Sequence, residues 1–88
     1  MNICFLIGKI ISEIKYDFVI GNKKYFSKEK ITVARFNIEL LNKSKISIIA
    51  YNSIADFCYQ KLDKNYNIFI EGLINTVGNI EIKNIKII

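Results

Sequence analysis

The chain has no histidine, no proline, no tryptophan, two cysteines and only four glycines in 88 residues. Without histidine, the commonest general base is missing, and so are the Ser/His and Cys/His nucleophile pairs. Cys4 and Cys58 stand far apart and form no C-x-x-C spacing. A zinc site of the usual Cys/His kind within one chain is therefore excluded. The two thiols read as buried and reduced, with a Cys4–Cys58 disulfide left open as the alternative. Without proline there is no proline-rich linker. No phosphate-cradling glycine loop is present, and the carboxylates are scattered rather than clustered. Neither catalysis, nor a metal, nor a cofactor is expected. No stretch reaches the ~18 uninterrupted apolar residues of a membrane span. The apolar start, Met1 to Ile11, lacks a basic n-region and is followed by no A-x-A-like cleavage site. Lys9 and Glu13 interrupt it, so it reads as a strand of a cytoplasmic protein.

What the chain does have is apolar content. Hydrophobic residues make up 51% and charged residues 24%, a composition that folds. Much of the apolar share is isoleucine, whose β-branch fits a pleated surface. A chain of 88 residues allows one domain, spanning 1–88, with a modest core that gains from burial against a partner. The net charge of +5 favours an anionic partner such as nucleic acid.

Periodicity predicts five strands and one helix. Asn2 to Lys15 reads as a long first strand, with Gly8 marking a bend and Tyr16 to Ile20 continuing after a kink. Gly21 to Lys30 is the most polar segment and reads as a loop or hairpin tip. Ile31 to Leu41 is the second strand, with Ala34, Phe36, Ile38 and Leu40 on one face and Arg35, Asn37 and Glu39 on the other. Lys45 to Tyr51 is the third, paired with the second as a hairpin. Ser53 to Leu62 reads as the helix, with Ser53 and Asp56 matching an S-x-x-D capping pattern. Tyr66 to Asn75 and Ile80 to Ile88 are the last two strands, with a phase slip near Asn84 that predicts a bulge. This is the element order of an all-β, five-stranded Greek-key barrel of the OB-fold type, with its helix between strands three and four.

Five motifs in the right order resemble the bacterial single-stranded-DNA-binding protein family. Asn2-Ile3-Cys4-Phe5-Leu6-Ile7-Gly8-Lys9 resembles its opening strand, and Glu13-Ile14-Lys15-Tyr16 its E-x-R-Y segment. Val33-Ala34-Arg35-Phe36 resembles its V-A-R-F strand. Ile48-Ile49-Ala50-Tyr51-Asn52-Ser53-Ile54-Ala55-Asp56 resembles V-V-A-W-G-K-x-A-E. Phe69-Ile70-Glu71-Gly72 resembles V-x-V-E-G. The resemblance implies an OB-fold that binds single-stranded DNA in replication, repair or recombination. It also implies assembly into a homodimer or homotetramer, and replication or primosome proteins as partners. Departures are visible as well. Lys45 replaces an upstream stacking aromatic, and the loop between the last two strands has shrunk to Thr76-Val77-Gly78-Asn79. No counterpart of the family's acidic tail follows Ile88, so recruitment through such a tail is not expected. In these respects the chain is similar to the short, tail-less members, such as primosomal replication protein B or mobile-element homologues.

Single strands are held by basic grooves for phosphates and aromatic platforms for bases. Alternation places Lys45, Ser47, Ile49 and Tyr51 on one face of the third strand. The expected binding face is therefore Arg35, Lys45 and Tyr51, with Lys43 at its edge. Lys9 and Lys15 would add phosphate contacts. Lys23, Lys24, Tyr25 and Phe26 mix charge with aromatics and could close over a strand. Base stacking tolerates sequence, so non-specific binding is the expectation. The competing expectation is an OB-fold module for protein interaction or assembly, with weak or no DNA binding. The apolar surplus of Ile3, Phe5 and Ile7, and of the C-terminal strand, supports it.

Overall fold

The computed structural model describes the backbone of residues 2–22 and 28–88, and the side chains of 2–18 and 31–88. Its elements are β1 (Ile3–Ile10), β2 (Lys15–Asn22), β3 (Lys28–Leu40), β4 (Lys45–Tyr51), α1 (Asn52–Lys61), β5 (Asn67–Ile74) and β6 (Ile80–Ile87). They form one sheet in the order β1-β5-β6-β4-β3-β2, and β1 returns to pair with β3. That last pairing, Gly8↔Leu40 to Ile10↔Ile38, closes the sheet into a barrel. Among the described residues the single parallel contact is the short β4–β6 pair, Ile48↔Ile80 and Ile49↔Glu81. Among the described residues, no helix is long and apolar enough to cross a membrane.

The long first strand is two strands. The chain does not break at Gly8, which stays within β1, but at residues 11–14. There it changes partners: β1 lies on β5 and only its end touches β3, whereas β2 lies wholly on β3. Counted as halves of one bent strand, β1 and β2 restore the five-stranded barrel. The corner is pinned where the ladder fails. Ile11 N–H donates to the Asn37 carbonyl at 3.0 Å, and Asn37 N–H donates to the Ser12 hydroxyl at 2.8 Å. The polar loop is also shorter than its composition suggests. A ladder needs only backbone groups, and β2–β3 pairing runs on to Asn22↔Lys28.

Strand alternation fills the barrel. Ile10, Ala34, Phe36, Ile38, Ile48, Ala50, Ile68, Ile70, Ile80 and Ile82 point inward, and Ala55, Cys58 and Leu62 of the helix region pack against them. Both cysteines are free, so the disulfide alternative is not realised. Burial pushes the Cys58 thiol up to about 12, which leaves it an inert core group. The expected bulge is present in β6. Glu71 faces Asn84 and Gly72 faces Ile82, so Lys83 is the extra residue.

The helix cap is not the expected one. Helix α1 starts at Asn52, directly after β4, and Tyr51 is its N-cap in extended backbone (φ −126°, ψ 149°) with no side-chain cap bond. The strand runs straight into the helix, so Ser53 already lies inside the first turn. Asp56 is therefore too far along to cap. Its carboxylate instead accepts a 2.6 Å hydrogen bond from the Tyr16 hydroxyl on β2. The Tyr16 ring stacks on Tyr59 of the helix, with centroids 4.3 Å apart and planes 15° from parallel. Together these contacts tie the helix to the barrel wall.

The hydrogen bond to Asp56 raises the Tyr16 pKa above its ordinary 10.0, with a smaller push from burial. The folded chain then holds that proton more tightly than the unfolded chain. The resulting stabilisation is full below pH 10 and is lost as pH rises through the raised value. Tyr16→Phe is expected to lower Tm at pH 7, and the gap to the wild type is expected to narrow above pH 10. Circular-dichroism melts across that range check it. A gap that stays constant to pH 11 would contradict the assignment.

Candidate nucleic-acid interface

The outer face of β2, β3 and β4 is read in rows across the ladder. One row runs Lys15–Arg35–Ile49, the next Asn37–Ser47, and the next Glu39–Lys45. Towards the helix, Asp17–Val33–Tyr51 forms the end row. Lys15 and Arg35 are thus direct cross-strand neighbours of like charge. That juxtaposition is unfavourable unless an anion comes between them. Both are exposed, and neither side chain makes an ion pair or hydrogen bond among the described residues. Arg35 and Glu39, four residues apart on β3, do not pair.

Between these rows lies a cleft of about 430 Å³. Lys15 and Arg35 form its cationic side, Asn37 and Ser47 its polar side, and Ile49 part of its apolar lining. Ser47 donates to the Asn37 side-chain oxygen at 3.1 Å, which fixes that pair. Ile49 and Val33 have outward parity, yet are only 6% and 4% exposed. Neither belongs to the barrel's core cluster. They make an apolar strip beneath the charged rows. Tyr51 stands at the end of that strip, 38% exposed, with its ring available.

The expected residues divide into three groups. Lys15, Arg35 and Tyr51 lie together on this face, with Lys45 two rows further along. Lys9 and Lys43 do not join them. Lys9 sits opposite Glu39, so the order Lys9–Glu39–Lys45 alternates in sign across three strands. Lys43 occupies the hairpin tip at φ 70°, where Lys43 N–H donates to the Leu40 carbonyl at 2.9 Å. Lys9 and Lys43 line a separate, smaller cleft of about 240 Å³. Lys23, Lys24, Tyr25 and Phe26 lie outside the described residues. Sequence reasoning missed Ser12, Glu13 and Asn79, which also line the larger cleft. They come from the β1–β2 corner and the β5–β6 turn, and only barrel closure brings them there.

A barrel closed in this order, with one helix between its third and fourth strands, is an OB-fold. Among solved structures, the crystal structure of the SSB domain of a Synechococcus sp. protein is similar, with a TM-score of 0.74 and 14% identity over 97% of this chain and 93% of that one. No protein-family model matches the chain, and no curated protein sequence does. At this identity the likeness establishes the fold alone.

Proposed function

We propose that the chain is a single OB-fold domain that binds single-stranded DNA without marked sequence preference, as an accessory of replication, repair or recombination. The observation that carries this reading is the Lys15–Arg35 pair, unneutralised and flanked by the Val33–Ile49 strip and Tyr51. It offers phosphates a cationic seat and bases a platform on adjacent rows. The fold shared with an SSB domain supports the reading. So does the family resemblance of the Val33–Phe36 and Ile48–Asp56 motifs. Among the described residues Tyr51 is the one clear stacking residue on this face, and affinity should fall below that of a relative with several there. Preference for oligo-dT over a matched duplex is the test.

A second observation favours assembly, with or without DNA binding. Ile3, Phe5 and Ile7 point outward from β1, and Phe5, at 63% exposure, stacks on Phe69 with centroids 6.1 Å apart. Leu41, 93% exposed, lines the same groove. An apolar patch of this kind on a basic chain is suited to burial against a second copy. We infer a homodimer or homotetramer built on this face. Light scattering at micromolar concentration should show a dimer or larger for the wild type and a monomer for Phe5→Glu. A monomeric wild type would contradict the inference.

A further inference from the structure

The Lys15–Arg35 cleft holds a group that phosphate binding does not explain. Glu13 is exposed, and its backbone carbonyl accepts from the Ser12 hydroxyl at 3.2 Å, but its carboxylate makes no hydrogen bond or ion pair among the described residues and lines the same cleft as Lys15 and Arg35. A carboxylate beside a phosphate track repels the backbone it borders. Lys15 and Arg35 in the same cleft favour that carboxylate electrostatically, and a ligand that brings N–H donors gives it a hydrogen-bonding role. Asn79, whose backbone N–H donates to the Asn75 side chain at 3.0 Å, adds a free side-chain amide to the lining. About 430 Å³ is ample for one nucleotide and falls within the usual range of ligand pockets.

We propose that this cleft takes one flipped-out base and that Glu13 selects guanine there. The inference rests on the single-strand reading above and adds a base preference to it. An ionised carboxylate is acceptor-only, with two oxygens able to take parallel hydrogen bonds. On its Watson–Crick edge, guanine alone presents two adjacent donors, N1–H and the N2 amino group. Cytosine and adenine pair one amino donor with a ring-nitrogen acceptor, which faces the carboxylate unfavourably. Thymine sets a single N–H between two carbonyls. In this scheme Lys15 and Arg35, which line the same cleft, hold the flanking phosphates, and the base edge turns to Glu13. Glu13 is a specificity-determining residue in this scheme, and the rest of the face remains indifferent to sequence.

The test is fluorescence anisotropy with three labelled strands of equal length: all dT, dT with one central dG, and dT with one central deoxyinosine. A single dG avoids guanine self-association. The dG strand is expected to bind at least about fivefold more tightly than all dT, the discrimination of one good bidentate pair. Deoxyinosine, which keeps N1–H and lacks the amino group, should fall between them. Glu13→Ala should bring the three strands to equal affinity while single-strand binding persists. Equal wild-type affinity for the three strands, or a dG preference that survives Glu13→Ala, would overturn the inference and leave the proposed function standing. Absence of wild-type binding to every strand would overturn both.

Discussion

Gly72→Ala is expected to destabilise the fold by about 3 kcal/mol, at the upper end for overpacking a tight interior. For a chain of this size that is a fall in Tm of roughly 12–24 °C. A Cβ at Gly72 would lie 2.6 Å from Ile80 Cγ2 and 2.7 Å from the Glu81 carbonyl oxygen. The first neighbour is a buried core side chain and the second is backbone, so neither can swing aside. The site also lies at the β6 bulge, where Gly72 faces Ile82 and Lys83 is looped out. Moving β6 outward would disturb its short parallel contact with β4, which completes the barrel. Gly78 is the control. It has open space around it, so Gly78→Ala meets only the cost of a φ of +87°, of order 1–2 kcal/mol. Thermal melts of the two variants check the ranking. Equal melting temperatures would contradict the close approach at Gly72.

Tyr51→Ala is expected to weaken single-strand binding by about 5- to 150-fold, the value of one stacked base at 1–3 kcal/mol. Arg35→Ala should weaken it as well and reduce the salt slope by about 0.7, the loss of one phosphate contact. Neither side chain is in the core cluster, and neither lies on the apolar β1 face, so fold and assembly state should persist. Tyr51→Phe keeps the ring and should bind nearly as the wild type does. Anisotropy titrations with oligo-dT, alongside light scattering, separate the two readings. Wild-type affinity in both alanine variants, with assembly lost in Phe5→Glu, would place the function on the apolar face instead.

Much of this architecture is legible in the chain because strand alternation is local. Ala34, Phe36 and Ile38 against Arg35 and Asn37 reveal which face is buried, and the phase slip near Asn84 reveals the bulge. What escapes is set by contacts distant in sequence. The break at residues 11–14 follows from barrel closure, which hands the chain from β5, the main partner of β1, to β3, the partner of β2. Asp56 matches a capping pattern, yet its partner Tyr16 is 40 residues away. The site divides in the same way. Parity alone places Arg35 and Tyr51 on one face, and the β2–β3 register then adds Lys15. Lys9 shares a row with Glu39 and Lys45 but lines a different cleft from Lys15 and Arg35. Glu13 and Asn79 carry no local signal, since turns from two ends of the chain deliver them to one cleft.

The most direct test of the central claim is anisotropy of labelled oligo-dT against a matched duplex across a salt series. The account predicts clear preference for the single strand, persisting near physiological salt, with a slope of roughly −0.7 per phosphate neutralised. Equal, weak binding to both forms that vanishes near physiological salt would contradict it. The net charge of +5 would then be the whole attraction, and the barrel would be an assembly module.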